Sequence, residues 1–279
     1  MKALELADRI FENNRSKAPV VHNISNIVTA NDCANITLAC GGSPTMAQHP
    51  EEVEDITGAC SGFVINMGNI EEGLVEAMLR AGKRNNAIGH PVVLDPVGAG
   101  AAKKRNEVLF ELLGKVKFSV IRGNISEIKF IATGSGSAKG VDADAADKVT
   151  DENIDSVIDF AKGLSAKTGA VIAISGETDI IADKDTAYVV KNGHSQMSLV
   201  TGTGCMLSSV TGVFCAANPD HILEAAVCAV SSYGLAGELA YSKMEANDAG
   251  TSSFRMYLID YMSKMTADIF KGGAKIEIR

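Results

Sequence analysis

The stretch Val200-Thr201-Gly202-Thr203-Gly204-Cys205-Met206-Leu207-Ser208-Ser209 sets small, flexible residues directly ahead of an apolar helical pattern. Glycines allow a tight turn, and the first N–H groups of a helix lack intrahelical acceptors, so they point at whatever negative charge lies in front of them. A phosphate fits such a place, with Gly202, Thr203, Gly204 and Cys205 as the anion hole. Cys205 adds chemistry. In a first helical turn the dipole is expected to lower its thiol pKa, which makes it a candidate nucleophile or base. Taken alone, the segment also reads as a helix capped by Thr203, with Cys205 as a small buried hydrophobe.

Three further segments carry polar residues directly after apolar runs. Leu94-Asp95-Pro96-Val97-Gly98-Ala99-Gly100 offers a carboxylate, which serves equally as a turn-former, a helix cap, or a catalytic or metal-holding group. Ile121-Arg122-Gly123-Asn124-Ile125-Ser126-Glu127 offers Arg122, able to fork onto phosphate oxygens, and Glu127. Spaced three residues from Asn124, Glu127 is also the far half of a capping box. Together, Asp95 and Glu127 suit a hydrated Mg²⁺, which keeps several waters and needs few protein ligands. Ile174-Ser175-Gly176-Glu177 offers a hydroxyl, or only a turn. The five histidines show no metal-ligand spacing, and His22 and His194 are at most pocket neighbours.

The elements that must position these groups follow an alternating order. Apolar, β-branched runs at 20–24, 62–67, 91–95, 118–122 and 170–174 look like strands buried on both faces. Helical patterns at 71–86, 103–115, 126–133 and 151–167 have the length that right-handed crossovers between parallel strands need. The class is therefore α/β, with helices on both faces of a mostly parallel sheet. Residues 179–183 and 186–190 read as an antiparallel hairpin added at one edge, and 204–216, 221–241 and 253–270 as helices. Thr133-Gly134-Ser135-Gly136-Ser137 reads as a mobile loop, not a domain boundary, so residues 1–279 are expected to form one domain. In open α/β sheets, ligands bind beyond the carboxyl ends of the strands, which is where Asp95, Arg122 and Ser175 fall.

Composition narrows the classes. With 279 residues, 46% of them hydrophobic, the chain can bury a substantial core. A net charge of −8 with scattered Lys and Arg argues against a nucleic-acid surface. Six cysteines without CxxC pairs read as reduced thiols, as in a cytoplasmic protein. The acidic residues near the start are unlike a signal peptide, and no long apolar run is expected to cross a membrane.

Val21-His22-Asn23-Ile24-Ser25-Asn26, Gly42-Ser43-Pro44-Thr45-Met46-Ala47, Leu94 to Ala99, Arg122 to Glu127 and Val200 to Leu207, in this order, resemble the hydroxyethylthiazole kinases of thiamine biosynthesis and salvage, within the ribokinase-like superfamily. The resemblance spans nearly the whole chain. It implies a three-layer α/β/α ribokinase-like domain, ATP-dependent phosphorylation of the alcohol of 4-methyl-5-(2-hydroxyethyl)thiazole, and a homotrimer with thiazole sites at its interfaces. It also implies Met46 and Gly202 at the thiazole, Arg122 and Ser175 at ATP, Cys205 as the catalytic residue, and Asp95 and Glu127 near Mg²⁺. Ser175 stands where threonine is more familiar and keeps the hydroxyl. Asn23 stands where cysteine is common, which bears on the shape of the thiazole pocket. Rival readings are another ribokinase-like kinase, such as one acting on hydroxymethylpyrimidine, and a non-catalytic nucleotide-binding module. Met46 and Cys205 favour the thiazole, because a thioether packs on a flat sulfur heterocycle.

Overall fold

The computed structural model describes residues 2–134 and 148–279. Helices α1 (Lys2–Glu5) and α2 (Ala7–Lys17) lead into β1 (Val20–Ile24), followed by α3 (Ala30–Ala39), β2 (Ser43–Thr45) and α4 (Val53–Gly58). Strand and helix then alternate through β3 (Gly62–Asn66), α5 (Glu72–Ile88), β4 (Val92–Asp95), α6 (Lys103–Lys115), β5 (Val120–Asn124) and α7 (Ile125–Thr133). After α8 (Ile154–Thr168) come β6 (Val171–Ser175), β7 (Asp179–Ala182) and β8 (Ala187–Val190). The remainder is α9 (Thr203–Ala217), α10 (Ile222–Ala246), α11 (Thr251–Lys264), α12 (Ala267–Gly273) and β9 (Ile276–Ile278).

The strands form one sheet in the order β2-β1-β3-β4-β5-β6-β7-β8-β9. From β2 to β6 every pairing is parallel, while β7, β8 and β9 add antiparallel partners at one edge. Both faces are apolar, as a parallel sheet between helical layers requires. Val21, Val64, Val93 and Val120 point to the side covered by α1–α3 and α9–α12, and Phe63, Ile65, Leu94 and Ile121 to the side of α4–α8. This is the three-layer α/β/α arrangement. In the first layer the Phe11 ring of α2 lies 5.3 Å from both Phe214 of α9 and Phe270 of α12.

Side-chain alternation decides where the site is built. Residues two apart share a sheet face, so Asn23, Asn66, Asp95 and Arg122 turn to the same side as Val21, Val64, Val93 and Val120. That side carries α9. The helix lies close enough on β3 that a Cβ on Gly212 would stand 2.4 Å from Val64 Cγ2.

Several elements depart from the expectations. The three-residue strands β2 and β9 were not expected; β2 contains Pro44 and sits at an edge, where a missing N–H is tolerated. The single helix expected over 253–270 is broken at Met265, and Thr266 caps the new start by accepting from the Ile269 N–H at 3.2 Å. A long apolar run does exist: Pro219–Ala246 has an 18-residue window of mean hydropathy 1.3, enough by length and composition to cross a membrane. Most of it is buried here as the core helix α10, packed on α9 and α11. Of the loop expected at Thr133 to Ser137, residues 135–137 lie outside the described residues.

Candidate active site

Helix α9 starts with its N-terminus at the carboxyl ends of the central strands. Its N-cap is Gly202, in a left-handed conformation at φ +87°, and a Cβ there would stand 2.5 Å from Thr29 Cγ2. Glycine is required by both facts. The expected cap, Thr203, does not serve: its hydroxyl donates backwards, to Met197 O at 3.0 Å. No side chain caps the first turn, so its leading N–H groups keep their capacity for an external acceptor. Tyr233 of α10 braces the turn by donating to Thr203 O at 2.8 Å.

Arg122 joins the strand ends to this turn. Nη1 donates to Gly204 O at 3.0 Å and Nη2 to Ser175 Oγ at 2.5 Å, while Nη1 stands 3.7 Å from Asp95 Oδ2. Its buried Nε has no hydrogen-bond partner. A buried guanidinium N–H left unpaired is costly. Ser175 in turn donates to Gly123 O at 3.3 Å, so the expected nucleotide pair Arg122 and Ser175 is in direct contact.

Asp95 is 2% exposed, and its Oδ2 accepts from Asn66 Nδ2 at 2.9 Å and Ser208 Oγ at 2.8 Å. Burial pushes its carboxyl pKa up, opposed by the Arg122 charge and these two donors. Glu127 is held from α7 by a capping box with Asn124: Oε2 accepts the Asn124 N–H at 2.9 Å, and Oε1 accepts the Gly98 N–H at 2.9 Å. Burial, and next the charge of Asp95, push Glu127 up to about 7. Capping box and acidic site are thus one arrangement. Two buried carboxylates repelling each other beside one guanidinium leave the place short of positive charge, which fits a divalent cation. Both Glu127 oxygens are engaged by backbone, and no cluster of three or more His, Cys, Asp or Glu able to hold a metal is found among the described residues, so a cation bound here would have to keep most of its water.

Cys205 corrects one expectation. Its thiol pKa is not lowered by the helix start but pushed up to about 11, first by burial and next by the charge of Asp95, against hydrogen bonds from Thr29 and Asn66. Desolvation of a thiolate outweighs the half-charge of a helix end.

The remaining candidates divide. Met46 follows β2, partly exposed, in a segment tied to β1 by His22 Nε2 to Ala47 O at 2.8 Å and Gln48 Nε2 to Ser25 O at 3.2 Å. His22 is structural, bound also to Thr57 Oγ1 at 2.8 Å and stacked on Phe63. His194 stacks on Tyr241. Asn23 fills a core position instead of a pocket wall, with Oδ1 accepting from Ser209 Oγ at 3.0 Å. Sequence reasoning passed over Asn26, Asn66, Ser208 and Asp179. Asn66 follows the same rule as Asp95, being the last residue of β3 and its register partner. Asp179, buried and raised to about 7 by that burial, accepts the Gly176 N–H at 2.8 Å and braces the turn after Ser175.

The profile of the hydroxyethylthiazole kinase family matches residues 11–268. The chain belongs to this family. A hydroxyethylthiazole kinase of Clostridium acetobutylicum is 54% identical over 267 residues, covering 96% of this chain and 97% of that one. The structure of a hydroxyethylthiazole kinase from Pyrococcus horikoshii, 32% identical, covers both chains fully with a TM-score of 0.86. A pyridoxal kinase of Staphylococcus aureus solved with AMP-PCP and pyridoxal is 16% identical, covers 78% of this chain and 87% of that one at a TM-score of 0.55, and shares the fold alone. Membership in the hydroxyethylthiazole kinase family agrees with a polar site at the strand ends that faces a helix start.

Proposed function

We propose that this hydroxyethylthiazole kinase family member transfers the γ-phosphoryl group of ATP to the hydroxyl of 4-methyl-5-(2-hydroxyethyl)thiazole in thiamine biosynthesis or salvage. The observation that carries it is the uncapped start of α9, whose leading N–H groups have no side-chain acceptor, with the Arg122 guanidinium set between Ser175 and the Gly204 carbonyl beside it. The ATP phosphates would lie against Arg122 and Ser175, and the migrating group against the N–H groups of Gly202, Thr203, Gly204 and Cys205. Asp95 and, through water, Glu127 would hold Mg²⁺, which supplies charge neutralisation on the phosphate oxygens. The thiazole would sit by Met46 and Gly202.

In the transfer, the alcohol oxygen bonds to the γ-phosphorus as the bond to the bridging oxygen breaks and ADP leaves. The hydroxyl proton passes to the Cys205 sulfur, which therefore acts as thiolate. Phosphoryl transfer asks mainly for positioning and electrostatic stabilisation, with little covalent work by the protein. One domain, residues 1–279, would do all of this in the cytoplasm.

The site's rim supports a shared assembly. Ile27, Val28 and Leu199, beside the polar site, are 81%, 67% and 67% exposed, and Leu38 and Met256 on α3 and α11 add further exposed apolar surface. Covered by a second copy, this surface would close the thiazole pocket in a homotrimer. Sedimentation should give three times 29.2 kDa, and a fully active monomer would refute the shared site. The activity itself is tested with Mg²⁺, ATP and a panel of small alcohols: the phosphorylated thiazole is the expected product, and a phosphorylated hydroxymethylpyrimidine, or ATP loss without any alcohol, would overturn the reading.

A further inference from the structure

Asn26, in the loop between β1 and α3, is 7% exposed and has a fixed amide orientation. Its Oδ1 accepts from the backbone N–H groups of Val28 at 3.0 Å and Thr29 at 3.1 Å. An amide has its acceptor at one end and its donors at the other, so the Nδ2 end must face away from that turn. There it donates to Asn66 Oδ1 at 3.0 Å and to Cys205 Sγ at 3.4 Å. Asn66 is oriented in the same way: its Oδ1 also accepts the Gly68 N–H at 2.9 Å, which turns its Nδ2 to Asp95. Gly68 has to be small, since a Cβ there would stand 2.6 Å from Asn26 Cβ.

Every bond in this chain runs one way, from backbone N–H groups through two amides to a sulfur and a carboxylate. Amides do not titrate in the working range, so the chain orients and polarises and does not relay protons. We propose that Asn26 is a positioning residue for Cys205: its clamped amide offers the sulfur only a donor, which fixes the sulfur and favours its ionised form over the thiol. The inference rests on reading Cys205 as the proton acceptor, and it adds the group that prepares it. A hydrogen bond to a charged acceptor is stronger than one to a neutral acceptor, so the donor acts selectively on the thiolate. It works with the Thr29 hydroxyl and the Asn66 amide, against Asp95 of β4 and Cys33 of α3; Tyr233 of α10 is also in electrostatic reach, and Arg122 of β5 binds the neighbouring Gly204 carbonyl.

Asn26→Asp keeps the shape and the acceptor for Val28 and Thr29 but puts an acceptor where the donor was. The rate of iodoacetamide alkylation at Cys205 is measured on metal-free protein, with Cys205→Ala as the background for the other thiols, beside kcat and KM. Alkylation should slow by about tenfold or more, as the thiolate fraction falls. Turnover should fall roughly 30-fold with KM for ATP held within about threefold, because the loss lies in proton acceptance and not in nucleotide binding. Alkylation and kcat both close to wild type would overturn the proposal, as would equal losses in kcat, KM and melting temperature, the pattern of a merely disrupted loop. If Asn26→Asp does not fold, Asn26→Ser gives the same comparison: its hydroxyl can hold the turn but is too short to reach the sulfur. Turnover of Cys205→Ala tests the base reading separately. Wild-type turnover there removes that reading, whereas an inactive Cys205→Ala beside an unaffected Asn26→Asp removes only the proposal.

Discussion

At the scale of single residues, the site is defined by groups held in costly states. The free protein keeps Cys205 mostly as thiol, because burial has pushed its pKa up to about 11. In the mechanism proposed above the thiolate takes the alcohol proton, and below that pKa its fraction grows about tenfold per pH unit. Turnover at saturating ATP, Mg²⁺ and thiazole alcohol is therefore expected to climb from about pH 7 to about pH 9 without a plateau. Cys205→Ala should bind both substrates yet lose turnover and this pH dependence; a flat wild-type profile would make the cysteine structural. The sequence made the position of this residue in the first turn of α9 legible, but not its protonation. Its neighbours Asp95, Cys33 and Asn26 lie far away along the chain, and their combined effect of desolvation and charge outweighs the local helix end that a sequence reveals. Asp95 and Arg122 were readable for the opposite reason: each ends or follows an apolar run, so a local rule places it at the mouth of the sheet.

At the scale of elements, the decisive object is α9, which carries the turn, the cysteine and Ser208 over the carboxyl ends of β3, β4 and β5. Its height above the sheet is set by Gly212, which has no room for a side chain against Val64. Gly212→Val should force the helix outwards, costing about 1–3 kcal/mol of stability by overpacking and also moving Cys205 and Ser208 away from Asn26 and Asp95. Denaturant melts together with kcat check this, and wild-type values in both would show that the helix adapts elsewhere. Long, strongly patterned elements such as α5, α6 and the central strands were readable from periodicity. The strands β2 and β9, three residues each, carry too little pattern to register, and the break at Met265 depends on the Thr266 cap, which interrupts an otherwise continuous helical pattern.

At the scale of the whole molecule, buried acids make stability depend on pH in an unusual direction. Glu127 and Asp179 are both raised to about 7 in the folded protein, above their ordinary values near 4 in the unfolded chain. Between those values the folded state holds protons that the unfolded state has released, so stability falls as pH rises, by up to about 1.4 kcal/mol per pH unit for each group. Melting temperature without metal or nucleotide should therefore drop from about pH 5 to about pH 8. Asp179→Asn, which still accepts the Gly176 N–H, should flatten the slope; an unchanged slope would show that Asp179 is not among the groups responsible. The contact of Phe11 with Phe214 and Phe270 has a consequence of another kind, for the order in which the protein is made. A chain emerging at about 5–20 residues per second brings out Phe270 roughly 10–50 s after Phe11. Phe214 of α9 emerges before Phe270, so α2 gains its partners in two stages, docking first on α9, and the helical layer over the site closes only when α12 joins them.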